Sequence, residues 1–506
     1  MCAWIVGDGF DYYNSVADLA RSVWDSYSAG AWSLITGTNT RFNYGQGIQG
    51  GAGGSVTKNF GSNESTVYVA LAYYRAGALS GTTAECYVYL QDGATKQCTI
   101  VFESSGNIVL KSGSESGTVL ATYTAAYAQD VWSHFQIRVV ISNTAGSMTV
   151  RKNGSPSDTY ASATTLNTRG GTTNNYCNTA VFVGWANSVA RFDDLLIYSS
   201  SGGAPNTWVG DTRAIALMPA GDTATKTFGA NPGTTATFGG AGIAGGAPNI
   251  PANTLNFSGP YTPTRGGTLT KITIGNNGAV TGHVKMAIYL NDGVGGIPGT
   301  RIAVSDEMTN PPSSASYDIT FTGGPNLSPL RSYYFAYLTD TAGNWQPYGG
   351  AGAAGTARYY ATVTYASGFP ATAPALTVPG GNQHQGVATQ SGNCVNVSEL
   401  IANSDTDYVL STTVGQEDLY AISAIPVVPY AIYGVVSKAY MKKSDAGTRQ
   451  GMLRTRSGAT DANGVDTAVS QTYTYLSRVD TVDPATGTTW TVAGVNAFLI
   501  GQKCTL

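Results

Sequence analysis

Apolar residues recur at every second position through most of this chain, in short runs separated by clusters of Gly, Asn, Asp, Ser and Pro. HFQIRVVIS shows the pattern plainly: Phe135, Ile137 and Val139 fall on one face, His134, Gln136 and Arg138 on the other. A period of two is that of a β-strand with one buried face. GNIVLKSG, AVFVGW and RFDDLLIYS predict further strands nearby. MTVRKNGSPSDTY carries Asn153-Gly154, a dipeptide that closes two-residue hairpins because both residues accept positive φ. ECYVYLQDGATKQCTIVF predicts a second hairpin, turning near Asp92-Gly93. Farther on, HVKMAIYLNDG places Val284, Met286, Ile288 and Leu290 on one inward face, and SYYFAYLTD reads as a strand. AIYGVVSKAYMKKSDAGTRQGMLRTRSG predicts a hairpin turning at Asp445-Ala446-Gly447, followed by the alternating strand SQTYTYLSRVD. One short helix is expected, from Thr491 to Ala497. The uncharged LYAISAIPVVPYAIYGVVS, residues 419–437, is split by Pro426 and Pro429 and reads as two buried strands, not a membrane span.

This patterning predicts an all-β protein of several β-sandwich or jelly-roll domains. Composition strengthens the reading: charged residues make up 11% of the 506-residue chain, against about 25% in typical soluble domains. Only seven of the 30 acidic residues are Glu, so the good formers of helix surfaces are scarce. Residues 1–203 predict one large sandwich. A second unit opens at 204 and is interrupted by two tracts of linker composition, GANPGTTATFGGAGIAGGAPN (229–249) and VPGGNQHQGVATQSGN (378–393). The strand-rich block between them is expected to be an insertion. The expected organisation is therefore 1–203, then 204–238 together with 394–506, with 239–393 as an inserted jelly-roll-like domain.

Charge and motif content remove several function classes. With a net charge of -3 there is no basic footprint for nucleic acid. Lys442, Lys443, Arg449, Arg454 and Arg456 read as the solvated face of a hairpin. MCAWIVGDGFDYYN lacks the basic start and apolar run of a secretory signal, so synthesis in a cytoplasm without membrane insertion is expected. His134, His283 and His384 sit in separate segments without metal-ligand spacing, and neither GxSxG nor HExxH occurs. Matches to G-x-G-x-x-G include Gly45–Gly50 and Gly240–Gly245, in loop contexts that lack the strand and helix of a phosphate site. Glycoside hydrolysis needs two carboxylates flanking the scissile bond, and the ExDxxE spacing that sandwich glucanases use is missing. No catalytic residue, cofactor or metal is expected.

Several features remain to be weighed. Asp193-Asp194 suits either calcium ligation or, the favoured reading, one carboxylate capping loop amides while the other faces water. Asp461-Ala-Asn463-Gly464-Val-Asp466 reads as a polar turn. None of the six cysteines forms a CxxC pair. Cys86 and Cys98 lie on the two arms of the Asp92-Gly93 hairpin, almost opposite one another, which suits a disulfide in an oxidising medium, while most of the six are expected to be buried thiols. Trp345, Tyr348, Tyr359 and Tyr360 in the inserted block suit either a glycan-stacking surface or core and subunit-interface packing.

Several tracts resemble a known group. GDGFDYYNSVADLARSVWDS, YLQDGATKQCTIVF and FDDLLIY resemble concanavalin-A-like (laminin-G-like) sandwich modules of tailed-bacteriophage virion proteins. APNTWVGDTRAIALMPAGD, SDTDYVLSTTVGQEDLY, KKSDAGTRQ and DPATGTTWTVAGVNA are similar to the tracts that continue such modules. The resemblance covers about 1–228 and 394–506, and it carries over no ligand residue position by position. It implies a concanavalin-A-like N-terminal sandwich and a non-enzymatic structural role in a virion, as head decoration, head fibre, collar or tail surface protein. It also implies a homo-oligomer, a trimer, packed against other virion proteins of the capsid or tail. The alternative expectation is a host-surface glycan-binding adhesin or receptor-binding protein, and the third a polysaccharide depolymerase.

Overall fold

The computed structural model describes residues 4–506 apart from 14, 29, 37–38, 42–45, 52, 80, 155–158, 185–189, 204, 232, 241–248, 277–279, 313–314, 330, 342–344, 348, 351–356, 379–382, 399–404, 426–428 and 430. The chain forms two compact units. Unit 1 comprises Met1–Ala216, Val427–Leu453 and Ser457–Val495, and unit 2 comprises Leu217–Pro426, Arg454–Arg456 and Asn496–Leu506.

Unit 1 holds, among the described residues, an eight-stranded and a seven-stranded antiparallel sheet. The first runs Thr159–Leu166, Gly146–Lys152, Ser133–Val140, Thr66–Arg75, Ala190–Ser199, Gln46–Gln49, Ser33–Thr36, with Trp4–Asp8 also paired to Ala190–Ser199. The second runs Val119–Tyr123, Ile108–Ser112, Thr95–Glu103, Ala84–Asp92, Cys177–Gly184, Ser55–Glu64, Ser26–Ser28. Their facing sides interdigitate into one core, in which Val67, Val69, Leu71 and Tyr73 meet Val88, Leu90, Ile100 and Phe102. This is the two-sheet sandwich the resemblance implied. Both pairs of strands are present; Asn153 (φ 50) and Gly154 (φ 71) take positive φ, but the innermost pair is Arg151 with Thr159, so the connection is longer than a two-residue turn.

The alternation in Ser133–Val140 places Phe135, Ile137 and Val139 in the core as expected, but the other face is covered too. The tract 208–214 lies along it. The Gly210 amide donates to Gln136 Oε1 at 3.2 Å, and His134 Nε2 sits 2.7 Å from Thr212 Oγ1. The Arg151 guanidinium stacks 4.3 Å from the Trp208 ring. Tyr68, Ala70, Leu196, Tyr198 and Val209 form a second apolar layer there. His134 and Gln136 are consequently 0% and 1% exposed. Expected hairpin partners also change: Val435–Met441 pairs with Thr474–Asp480, and Gln450–Ser457 pairs with Thr467–Ala468.

Unit 2 is a second sandwich. One sheet runs Thr235–Gly239, Val387–Ser391, Gly267–Asn276, Ala315–Thr320, and the other Arg301–Val304, His283–Leu290, Tyr333–Thr339, Thr254–Tyr261, Ala357–Thr362. Val284, Met286 and Ile288 enter the core between them, with Leu290 packed against it. The far side of the second sheet is also buried, because Phe369, with Val363, Tyr365 and Leu376, covers Leu255, Phe257, Tyr289 and Tyr334. Three ladders tie the chain before residue 240 to the chain after 386: 219–226 with 417–422, 229–231 with 408–410, and 235–239 with 387–391. Thr235–Gly239 thus shares a sheet with Gly267–Asn276, across the expected boundary at 238/239. The helix is one short turn, Val492–Asn496. No helix among the described residues is long and apolar enough to cross a membrane.

Candidate functional site

The aromatics singled out in the sequence do not form one surface. Trp345 is wholly buried: it packs against Tyr337 at 5.9 Å and donates from Nε1 to the Tyr317 hydroxyl at 2.8 Å. A Trp whose N–H finds an internal acceptor is stable in a core, so Trp345 is corrected from surface ring to core ring. Tyr348 lies outside the described residues. Tyr359 and Tyr360 are consecutive in a strand and point to opposite faces. Tyr359 is half-buried, edge-on to Tyr334 at 5.8 Å, and Tyr360 is 36% exposed.

Cys86 and Cys98 are corrected by register. Both are buried free thiols in the unit 1 core, but Cys86 pairs with Phe102 and Cys98 with Leu90. Four residues of offset along a strand is about 13 Å, and a disulfide needs Cα atoms within about 7 Å.

Neither Asp193 nor Asp194 faces water; they are 6% and 3% exposed. They sit at a bulge in Ala190–Ser199, where Asp194 has φ 52 and that strand changes partner from Gln46–Gln49 to Trp4–Asp8. Asp193 accepts from the amides of Asp194 and Arg41. Asp194 accepts from the Ala214 amide at 2.7 Å and from Arg41 Nη1 at 2.8 Å, and Arg41 also bonds Thr212 O and Asp211. Burial raises the pKa of both carboxylates, and Arg41 offsets part of this at Asp194. Nearby, burial lifts Asp11 to about 7, although the Gln46 amide opposes the shift. The cluster therefore pins the loop at 41 and the 208–214 tract onto the sheet. Among the described residues no group of three or more ligating side chains is placed to hold a metal ion.

The arrangement with binding geometry lies at one end of the seven-stranded sheet. Cys177 pairs with Glu64 but Thr179 with Asn59, so two steps on one strand face five on the other. The surplus of three residues falls within Phe60–Asn63, which bulges around Gly61 at φ 73, a backbone that glycine adopts without strain. On the other side the turn after Asp92 brings Gly93 N–H to Asn178 Oδ1 at 2.7 Å. An open depression of about 430 Å³ results, lined by Asn59, Gly61, Ser62, Asn63, Gly93, Asn178 and Thr179.

Its walls are meshed by hydrogen bonds. Asn178 Nδ2 donates to Asn63 Oδ1 at 3.1 Å and to Asp92 Oδ1 at 3.4 Å. Thr179 Oγ1 donates to Asn59 Oδ1 at 3.1 Å, and Asn174 Nδ2 donates to Asp92 Oδ2 at 2.8 Å and to the Tyr176 hydroxyl at 2.9 Å. Asn59 and Asn63 accept through their oxygens, which leaves their amide nitrogens as donors. The result is a lining of amide, hydroxyl and backbone groups, with the Asp92 carboxylate held beside it by Asn178 and Asn174. Strand patterning does not flag these residues, because the bulge that gathers them breaks the period of two.

No known family's profile matches the chain, and no curated protein matches it. Solved structures similar in part include the galectin LEC-6 of Caenorhabditis elegans, with 11% identity over 29% of this chain and 89% of that one, TM-score 0.20. Lectin II of Ulex europaeus is similar at 8% identity over 38% and 97%, TM-score 0.26. So is the carbohydrate esterase vb_24B_21 of Shiga toxin-encoding bacteriophage phi24B, at 12% identity over 38% and 98%, TM-score 0.26.

Proposed function

We propose that this chain is a non-enzymatic β-sandwich protein that recognises a neutral carbohydrate through the depression in unit 1. The observation that carries this is the convergence of Asn59, Asn63, Asn178 and Thr179 around an open volume of about 430 Å³, within the size range of small-ligand sites. Sugar hydroxyls need paired donors and acceptors, and amides supply both from one side chain. A pre-meshed lining loses little entropy on binding. Against hydrolysis, both oxygens of Asp92 accept from Asn178 and Asn174, and those of Glu64 from Ser62 and Ser201. These carboxylates are braces rather than the poised acid and base that glycosyl transfer needs.

The virion reading stands beside this one, supported by the phage-like tracts in 1–228 and 394–506. A glycan-recognising surface protein of a phage particle, oligomeric and packed against capsid or tail proteins, satisfies both. The test is calorimetry of the full chain against neutral oligosaccharides chosen by glycan array, with Asn178→Ala. Asn178 touches three wall groups, so its loss is expected to weaken binding about tenfold. Binding unchanged by Asn178→Ala, or no neutral saccharide bound on the array, overturns the proposal. Release of reducing ends from a bound polysaccharide would overturn its non-enzymatic part.

A further inference from the structure

The ribbon formed by Val435–Met441 and Thr474–Asp480 carries a column of tyrosines that no part of the depression uses. Alternation puts Lys438 and Tyr440 on one face of the first strand, and Lys442 follows just past its end. Register sets Tyr440 opposite Tyr475 and Lys438 opposite Ser477. The Tyr473 and Tyr440 rings stack at 4.6 Å and 15°, and Tyr440 meets Tyr475 at 4.5 Å. Tyr475 meets Tyr12 edge-on at 6.0 Å and donates its hydroxyl to Tyr12 O at 3.2 Å. A lysine caps each end: Lys442 Nζ lies 4.7 Å from the Tyr473 centroid, and Lys438 Nζ 3.4 Å from that of Tyr12. The Lys438 ammonium is enclosed, whereas Tyr440, Tyr473, Tyr475 and Lys442 are half-exposed.

Rings that spend their faces on one another can offer a ligand only edges and hydroxyl groups. Aromatic edges are the positive part of the ring quadrupole, phenol O–H groups donate, and lysine donates without accepting. Arg449 is paired with Asp445, and Asp8 and Asp18 act on the Tyr475 end of the column, so Lys442 and Lys443 make its other end the positive one, in a chain of net charge -3. We propose that this strip is a second saccharide site in unit 1, specific for an acidic sugar whose carboxylate meets Lys442 and whose hydroxyls meet Tyr440 and Tyr473. That the ligand is a saccharide rests on the proposed function; that it is acidic rests on the strip alone.

The experiment titrates the full chain with oligogalacturonate and with a neutral galactan oligomer of equal length. The acidic oligomer is expected to bind, and more weakly as salt rises, because the contact is exposed and screened. Lys442→Gln is expected to weaken it about fivefold, and Tyr440→Phe with Tyr473→Phe added to bring the loss beyond about tenfold. The phenylalanine variants keep the ring column, and Lys442→Arg should restore most of the affinity. Asn178→Ala should leave oligogalacturonate binding unchanged. No oligogalacturonate binding, or binding indifferent to Lys442→Gln and to the tyrosine changes, overturns the strip even if the depression binds neutral sugar. Loss of both ligands on Asn178→Ala alone would assign both to the depression and likewise overturn it.

Discussion

Removing Arg41 tests how unit 1 is pinned together. The Arg41 side chain is 9% exposed and faces Asp194, 2% exposed, at 2.8 Å. Arg41→Met keeps the length of the stem and deletes the charge. Breaking a buried pair from one side costs about 3–5 kcal/mol, because the remaining charge is stranded. Asp194 has an escape: burial already raises its pKa and Arg41 opposes that rise, so without Arg41 it takes up a proton more readily. A carboxyl whose folded pKa lies above its unfolded value contributes stability that is complete below the unfolded value and lost as pH rises through the folded one. The deficit of Arg41→Met should therefore approach its full size at pH 8. At pH 4.5 it should shrink to about 1–2 kcal/mol, the hydrogen bonds to Thr212 O and Asp211 being what remains lost. Hydrogen exchange read on Ala190–Ser199 isolates unit 1, and at pH 8 its amides should open roughly a hundredfold or more faster than in the parent, once intrinsic rates are corrected for pH. Arg41→Met with Asp194→Asn should recover most of the loss. A deficit that does not vary with pH, or a double variant no better than the single one, would refute the stranded-charge argument.

Other perturbations follow from the same structure. Asp11→Asn keeps an acceptor for the Gln46 amide and removes a carboxyl lifted to about 7; by denaturant titration it should be near-neutral below about pH 4 and increasingly stabilising from there to pH 8. His384 is wholly buried, and burial lowers it to about 3, with Arg358 adding to the shift and the Pro347 backbone opposing it. Unfolded chains take up that proton first, so stability should fall as pH drops from about 6.5 towards 3. His384→Phe should flatten that acid limb, and an unchanged limb would count against it. Trp345→Ala should cost about 3–5 kcal/mol of unit 2 stability, whereas a surface ring would cost little. In an oxidising buffer, thiol titration should find Cys86 and Cys98 unpaired and reactive only after unfolding.

Much of the local structure was legible in the chain. The Asn153-Gly154 and Asp92-Gly93 hairpins, the inward faces of Phe135–Val139 and Val284–Ile288, and the short helix near Val492 all follow from turn chemistry and period. The candidate site was not legible, since Asn59, Asn63 and Asn178 are ordinary polar strand residues until the Phe60–Asn63 bulge gathers them. The tyrosine strip was half legible: alternation groups Tyr440 with Lys438, but only the pairing with Thr474–Asp480 adds Tyr473 and Tyr475.

The sequence by itself determined that this protein is all-β and where many of its strands and turns lie, because a period of two, a Gly after Asn or Asp, and a shortage of Glu act within a few residues of chain. Only the tertiary structure decided which second faces are covered, as at His134 beneath 208–214 and Tyr334 beneath 363–376. It alone set the register that keeps Cys86 from Cys98, and it drew Trp345 inside. Those outcomes depend on contacts between segments tens to hundreds of residues apart, and a side chain's alternation names its face without naming what will lie across from it.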